Sequence, residues 1–512
     1  MHVVTAYRPR GGETGLALVC IIGALIVFAA FTSVAISRNG WVFEYPLDDV
    51  YIHLAMAEQI AAGGYGVNAG EYSSAASSPL YPLLLTPLAD TDWQRWLPLI
   101  WNIVGLSTAA WLFGLALARA GFERLGVFFA AVAPLAFSMY MTAFTGMENM
   151  LHVAASLAIV LGLWRFVETN RIGALLIAGV VVTPALRLEG LALALAAGGL
   201  VTILGRFGAG VGLASLGLLP VVVFSAFLVS LGLDPLPNSV VAKLSDTEGG
   251  NVFSRFTGNA GTYGGHFLLA LSLVVLLLGF AEFRRNRRRG YFAVAVALAG
   301  LAHLFFGSTG WMDRYETYAT VSLVAALALL LGTVGSNLRS ATVGAALLGG
   351  LLTYGPYALS IYAWNPKAVA AQQGQMARFA KEFVLAPVAV NDIGFVAWRN
   401  PSFVLDLWGL ASSDALALRS SGAANGWAGP LALERGVKFA MIYDKWLSEA
   451  VPVSWQWLGT LHLDVPTAFL GDREVGFYST DPMQSHQFLE MLRVWEKDLP
   501  DLAWFEFSGT GQ

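Results

Sequence analysis

The sequence predicts an α-helical polytopic membrane protein with about eleven transmembrane helices, followed by a soluble C-terminal α/β domain. Three observations predict it. Of the 512 residues, 56% are hydrophobic and only 12% are charged, whereas soluble domains carry about 25% charged residues; the mean hydropathy is +0.62. Apolar runs of bilayer-crossing length, or nearly so, recur through the first 364 residues. The charge density then changes: residues 365–512 hold 27 of the 64 Asp, Glu, Lys and Arg, about 18% of that segment, against 37 of 364, about 10%, before it. The chain therefore divides into a membrane domain, 1–364, and a soluble domain, 365–512. A net charge of −4 leaves no nucleic-acid footprint. The single cysteine, Cys20, excludes an intrachain disulfide or a thiolate metal cluster.

The first apolar run, roughly Leu16 to Ile36, follows Arg8 and Arg10. It is long enough to span and has no small-residue cleavage site, so it reads as a retained anchor. Further runs occupy about 97–118, 124–143, 147–167, 172–186, 190–205, 211–232, 266–283, 291–308, 317–334 and 341–363. The pair at 172–186 and 190–205 is short and separated only by Arg187, Leu188 and Glu189, so one or both are expected to be tilted or re-entrant. In the tail, APVAVND (386–392), SFVLDLWG (402–409) and KFAMIYD (438–444) read as strands. Helical patterns surround them at 366–383 and 485–497.

Basic residues assign the two sides. One set of alternating loops holds 13 Arg, including Arg284, Arg285, Arg287, Arg288 and Arg289, with four acidic residues; the opposite set holds six basic and 14 acidic residues. The positive-inside rule then puts the N-terminus in the cytoplasm and the tail outside. Every polar cluster of unusual composition falls on that outer side: LDDVYIH (47–53), TGMEN (145–149), RLEG (187–190), DPLPNSVVAK (234–243) and WMDRYE (311–316). Ionisable groups at membrane depth are costly and face a cavity or a partner. Five such loops on one face therefore predict an active site at the outer surface, within reach of the loop 37–96. Arg187, Lys243 and Arg314 lie inside these clusters, as groups that neutralise a phosphate would.

The most informative stretch is PLDDVYIHLAMAEQIAAGGYGVNAGEYSSAASSPLYP, from Pro46 to Pro82. Val50, Leu54, Ala57 and Ala61 recur at helical spacing, and Gly63 and Gly64 stop the helix. Asp48 and Asp49 thus stand at a helix N-terminus, where unpaired N–H groups favour negative charge. A simple N-cap role for Asp48 is the alternative to a catalytic one.

The order of these clusters resembles the GT-C class of polyprenyl-phosphate-dependent membrane glycosyltransferases, most closely the branch with the bacterial arabinofuranosyltransferases. Its early outer-loop motif, DDAYI and then G-x-G-x-x-x-N-x-G-E, reads here as DDVYI and, with two residues fewer between the second Gly and the Asn, GYGVNAGE. The similarity continues through Gly146, Met147 and Glu148, then Arg187, Leu188, Glu189 and Gly190, then Leu236, Pro237, Asn238, Ser239 and Lys243. It ends with Asp313, Arg314 and Tyr315, the tail sequence from Asn391 to Gly394, and that from Leu405 to Leu410. The tetrad lacks its usual proline, and Ser73 to Ser77 replace a more acidic, aromatic stretch.

The resemblance implies a GT-C-like fold in the bacterial inner membrane and inverting transfer of a sugar from a polyprenyl-phosphate donor to an extracytoplasmic glycan, lipid or protein. It implies Asp48 as general base, with Asp49 the alternate. Lys243, Arg314 and Arg187 are then expected to bind the donor phosphate. Glu148 and Glu189 either bind sugar hydroxyls or pair with Arg187. His53, one turn after Asp49, gives a two-residue start for a divalent metal site, which alone is not a site. Asn238 shapes its loop or touches substrate, and Trp311 is the tryptophan placed for stacking on sugar. A transporter or flippase of a lipid-linked sugar is the alternative; it predicts charge on both sides and inside the spans.

Overall fold

The computed structural model describes residues 11–122, 124–245 and 251–509. All eleven apolar runs are helical, as hydrocarbon demands of a backbone that must pair its own N–H and C=O groups. Among the described residues, seven helices are long and apolar enough to cross a membrane; they include Glu13–Arg38, Gln94–Arg119, Asn149–Thr169, Phe207–Ser230, Tyr263–Glu282 and Arg287–Phe306. The other four apolar helices, Leu125–Ala136, Ala174–Leu186, Leu188–Ile203 and Thr317–Leu330, are shorter. At about 1.5 Å per residue they fall short of a hydrocarbon core about 30 Å thick. The expected eleven crossings are therefore seven full-length helices and four partial ones.

The short helices matter because they end inside the bundle and deliver polar residues there. Thr317–Leu330 is buried along its whole length, and Asp313, Arg314, Tyr315 and Glu316 lie at its N-terminal end. Ala174–Leu186 stops at Arg187, which is extended (φ −150°, ψ 135°), and a 3-10 turn over Leu188–Gly190 restarts the chain. Gly190 is required there: a Cβ would meet Thr183 Cγ2 at 2.3 Å and His152 Nε2 at 2.8 Å. At the other end of the bundle, basic residues stabilise helix C-termini. Arg339 donates to the carbonyls of Ala120 and Gly121, at 2.7 and 2.8 Å, and Arg288 donates to Phe166 O at 3.2 Å.

The helix Ser336–Ala371 runs without a break through the composition boundary at 365. Beyond it lies a six-stranded mixed sheet, β1 (Val388–Val390), β2 (Val404–Asp406), β3 (Phe439–Ile442), β4 (Gln456–Leu463), β5 (Glu474–Ser479) and β6 (Ala503–Phe507), in the order β2-β1-β3-β5-β4-β6. β1 pairs in parallel with β2 and β3, and the remaining pairs are antiparallel. One face carries an aromatic core of Phe379, Phe439, Phe477, Phe488, Trp495 and Phe505, closed by the helix Ser485–Trp495. Ala389, Leu405, Ala440 and Ile442 pack on the opposite face, as the two-residue period of a strand requires.

The sheet docks on the loop 37–96. Asn68 treats the edge strand β2 as a neighbouring strand would: its Nδ2 donates to Val404 O at 3.0 Å and its Oδ1 accepts from Val404 N at 2.9 Å. Arg399 bonds Glu58 and Asp92, Arg435 pairs with Glu71 at 3.0 Å, and Tyr51 stacks on Phe395 at 4.1 Å. Asn68→Ala leaves both polar groups of Val404 buried and unpaired, which costs about 1–3 kcal/mol per group. We expect a lower unfolding temperature for the detergent-purified protein and faster proteolysis between the loop and the sheet.

Candidate active site

Asp48 and Asp49 leave the start of the loop helix Asp49–Ala61 in different directions. Asp48 makes no side-chain cap to its own helix. Instead its Oδ2 accepts from Gly394 N at 2.7 Å and its Oδ1 from Phe395 N at 2.8 Å, both in the tail. Gly394 permits this approach, because a Cβ would stand 2.2 Å from Asp48 O. Burial, and then the Asp392 carboxylate, push the Asp48 carboxyl well above its ordinary value, against the opposing pull of the two N–H bonds. Asp49 turns the other way and pairs with Arg314.

Asp49 and Arg314 line a cavity of about 60 Å³ together with His53, Ser77, Met147, Arg187, Ser239, Tyr315 and Leu410. All five outer clusters contribute to it, and Leu410 adds the tail. Arg314 is 3% exposed. Its Nη2 is shared between Asp49 and the Tyr315 hydroxyl, while Nε and Nη1 have no partner among the described residues. The Tyr315 ring lies between two guanidinium groups, 5.2 Å from that of Arg187 and 5.0 Å from that of Arg314. Arg187 is spent on two acids: Nη1 bonds Glu148 at 2.6 Å and Nη2 bonds Glu189 at 2.7 Å.

The other sequence-selected residues separate. Glu148 is fully buried beneath Arg187, and its Oε2 lies 3.7 Å from His53 Nε2. Burial keeps the His53 imidazole below its ordinary value, despite the opposing pull of Glu148 and Asp49. Asp49 and His53 acquire no third ligand: among the described residues no three His, Cys, Asp or Glu stand close enough to hold a metal. Asn238 links loops, its N–H donating to Ser74 Oγ and its Nδ2 to Ser413 Oγ, each at 3.1 Å. Trp311 lies outside this cavity and packs edge-on against Phe469 at 4.9 Å. The Lys243 side chain lies outside the described residues.

Sequence reasoning missed the hold that the tail has on Asp48. The signal was present in Asn391 to Gly394. Asn391 Oδ1 accepts from Tyr443 N at 2.7 Å, and Asp392 Oδ2 accepts from Tyr443 Oη at 2.7 Å and Gln373 Nε2 at 2.8 Å, so this turn is fixed before it meets Asp48. A second apolar cavity, about 390 Å³, runs between the helix Leu191–Ile203 and the end of Arg287–Phe306. It shares Ser77 with the charged cavity and has Glu189 and His303 in its wall.

A bundle with partial helices, a charged cavity at one end and a sheet domain closing it defines a multi-pass membrane protein of GT-C architecture. Comparison with solved structures shows that fold directly. The crystal structure of ArnT from Cupriavidus metallidurans bound to undecaprenyl phosphate aligns over 92% of this chain and 98% of its own, with a TM-score of 0.51 and 13% identity. The apo structure of the same protein aligns over 91% and 98%, with a TM-score of 0.52 and 14% identity. A family model described as a domain of unknown function, DUF8728, matches residues 363–478. No curated protein sequence matches the chain.

The Arg187 triad gives a stability test. Removing the shared cation from buried pairs strands the acids it held, at a cost of about 3–5 kcal/mol. Arg187→Met is therefore expected to lower the unfolding temperature sharply, whereas Glu148→Leu, which leaves Arg187 paired with Glu189, lowers it less.

Proposed function

We propose that the chain is a membrane glycosyltransferase that moves a sugar from a polyprenyl-phosphate donor to an acceptor hydroxyl at the outer face of the bacterial inner membrane, with inversion. The N-terminus is cytoplasmic in this reading and the tail extracytoplasmic. The acceptor oxygen bonds the anomeric carbon as the bond from that carbon to the phosphate oxygen breaks, so the lipid leaves as polyprenyl phosphate. A carboxylate takes the hydroxyl proton.

One observation carries the reading: Arg314, buried in the charged cavity beside Asp49, keeps Nε and Nη1 unpartnered among the described residues. Each is a charged N–H donor available to a phosphate oxygen. The apolar cavity that shares Ser77 offers the prenyl chain a place at the level of the short helices. The fold likeness to a structure bound to undecaprenyl phosphate supports the same donor class. Arg187 borders the site against the Tyr315 ring, with both terminal nitrogens engaged by Glu148 and Glu189.

Reach decides between the two aspartates before proton affinity does. Asp49 lines the cavity, while both oxygens of Asp48 already accept tail N–H groups. We assign Asp49 as the base and Asp48 as the residue that positions it. Loss of a positioned base lowers the rate by about 10²–10⁴-fold. With a radiolabelled polyprenyl-phosphate sugar, Asp49→Asn is expected to lose transfer to that extent while retaining undecaprenyl-phosphate binding, and Arg314→Met to lose binding of the lipid phosphate. Full transfer by Asp49→Asn would remove the assignment. Membranes of a strain lacking the protein should accumulate the unused donor.

A further inference from the structure

A third cavity, about 150 Å³, opens on the other side of the segment that carries Arg314. Trp311, Asp313, Tyr263, Thr262 and Met141 line it from the membrane helices, and Phe469 lines it from the tail. The segment between the cavities is unusual in its backbone. Trp311, Met312 and Asp313 are consecutive non-glycine residues in the left-handed region, with φ of 49°, 62° and 55°. Each costs of order 1–2 kcal/mol in that region, and such strain persists where the surrounding structure enforces it, commonly at functional sites. Its effect here is specific. It turns Trp311 and Asp313 toward one cavity and Arg314 and Tyr315 toward the other, within five residues.

The walls match one ligand chemistry. Trp311 remains 37% exposed beside Phe469, and Tyr263 is exposed, so aromatic surface is available to an apolar C–H face. The Asp313 side chain accepts no hydrogen bond among the described residues; its backbone carbonyl takes the Thr317 hydroxyl at 2.5 Å. Burial pushes its carboxyl up to about 7; its protonated form donates as well as accepts, and its carboxylate accepts from a hydroxyl. Behind the glycine wall, Glu316 Oε2 accepts from Gly310 N at 2.9 Å, and Oε1 is buried without a partner among the described residues. A Cβ at Gly264 would stand 2.1 Å from that Oε1, which keeps this wall flat.

We propose that this cavity is a subsite for one neutral sugar ring of the acceptor, stacked on Trp311 and hydrogen-bonded to Asp313, so that the acceptor is a glycan. The inference rests on the glycosyltransferase reading. The leaving phosphate is held on the Arg314 side of the strained segment and the acceptor ring on the Trp311 side, with the tail closing the second through Phe469.

Saturation-transfer NMR on the full chain in nanodiscs tests this with methyl glycosides of mannopyranose, galactopyranose and arabinofuranose. At least one is expected to receive saturation. Trp311→Ala should weaken that binding about 10-fold or more, the equivalent of about 1.4 kcal/mol, and Asp313→Asn should weaken it less. Trp311→Phe should retain it, with an unchanged unfolding temperature guarding against misfolding. Undecaprenyl-phosphate binding should be unchanged in Trp311→Ala. Three results overturn the proposal: no glycoside bound in a Trp311-dependent way, tetramethylammonium bound in their place, or lipid-phosphate binding lost together with the sugar. Because binding needs no turnover, sugar bound by a chain without transferase activity refutes the activity and leaves the subsite intact. Transfer activity without Trp311-dependent sugar binding does the reverse.

Discussion

Two adjacent carboxylates at the foot of one helix repel each other unless each finds its own partner, and the structure is built around that requirement. Asp48 is held by the amides of Gly394 and Phe395, and Asp49 by Arg314. The first bond fixes the sheet domain to the outer loop; the second fixes that loop to the N-terminus of the buried helix Thr317–Leu330. One dipeptide thereby sets the position of three parts of the chain. An acid and a guanidinium separated by 265 positions in sequence meet only because both ends are so held.

The two buried arginines show how burial with and without full pairing divides labour. Arg187 lies between Glu148 and Glu189, with both terminal nitrogens engaged. Such a triad carries a net negative charge and is a poor anion receptor, whatever its place in the cavity. Among the described residues Arg314 has a single carboxylate partner and two nitrogens with none. A buried charge left partly unpaired is costly, and in the function proposed above the uptake and release of a phosphate gives that cost a use.

Most of the architecture was legible in the sequence, because bilayer physics writes apolar length and loop charge directly into composition. β1, β2 and β3 were legible as short β-branched and aromatic runs. β4, β5 and β6 were not, since Trp457, His462, Glu474 and Trp504 interrupt the apolar alternation along partly exposed strands. Which of the eleven apolar helices are short was less legible for a related reason: Thr317–Leu330 is apolar and buried along its whole length, and hydropathy does not distinguish protein from lipid as the apolar neighbour. At the site, the clusters were visible but their partners were not. Nothing local to Asp48 indicates that its bonds are to residues nearly 350 positions away. Nor does the spelling of Arg187 and Arg314 reveal that one is saturated and the other open.

The tail explains why a site at one end of the bundle needs a sheet domain at all. The loop 37–96 carries Asp49 on a 13-residue helix with Asp48 at its N-cap, and the tail packs aromatic side chains on that helix. Isolated helices of that length are marginal in water. Tyr51 stacks on Phe395, Trp398 packs beside it, and Asn68 completes the edge of β2, so the helix gains tertiary contacts that its own propensity does not supply. Leu410 reaches the charged cavity and Phe469 the one beside Trp311. The sheet domain is thus a wall of both cavities, and a chain ending after the last membrane helix would keep every charged residue of the site and lose the geometry that aims them.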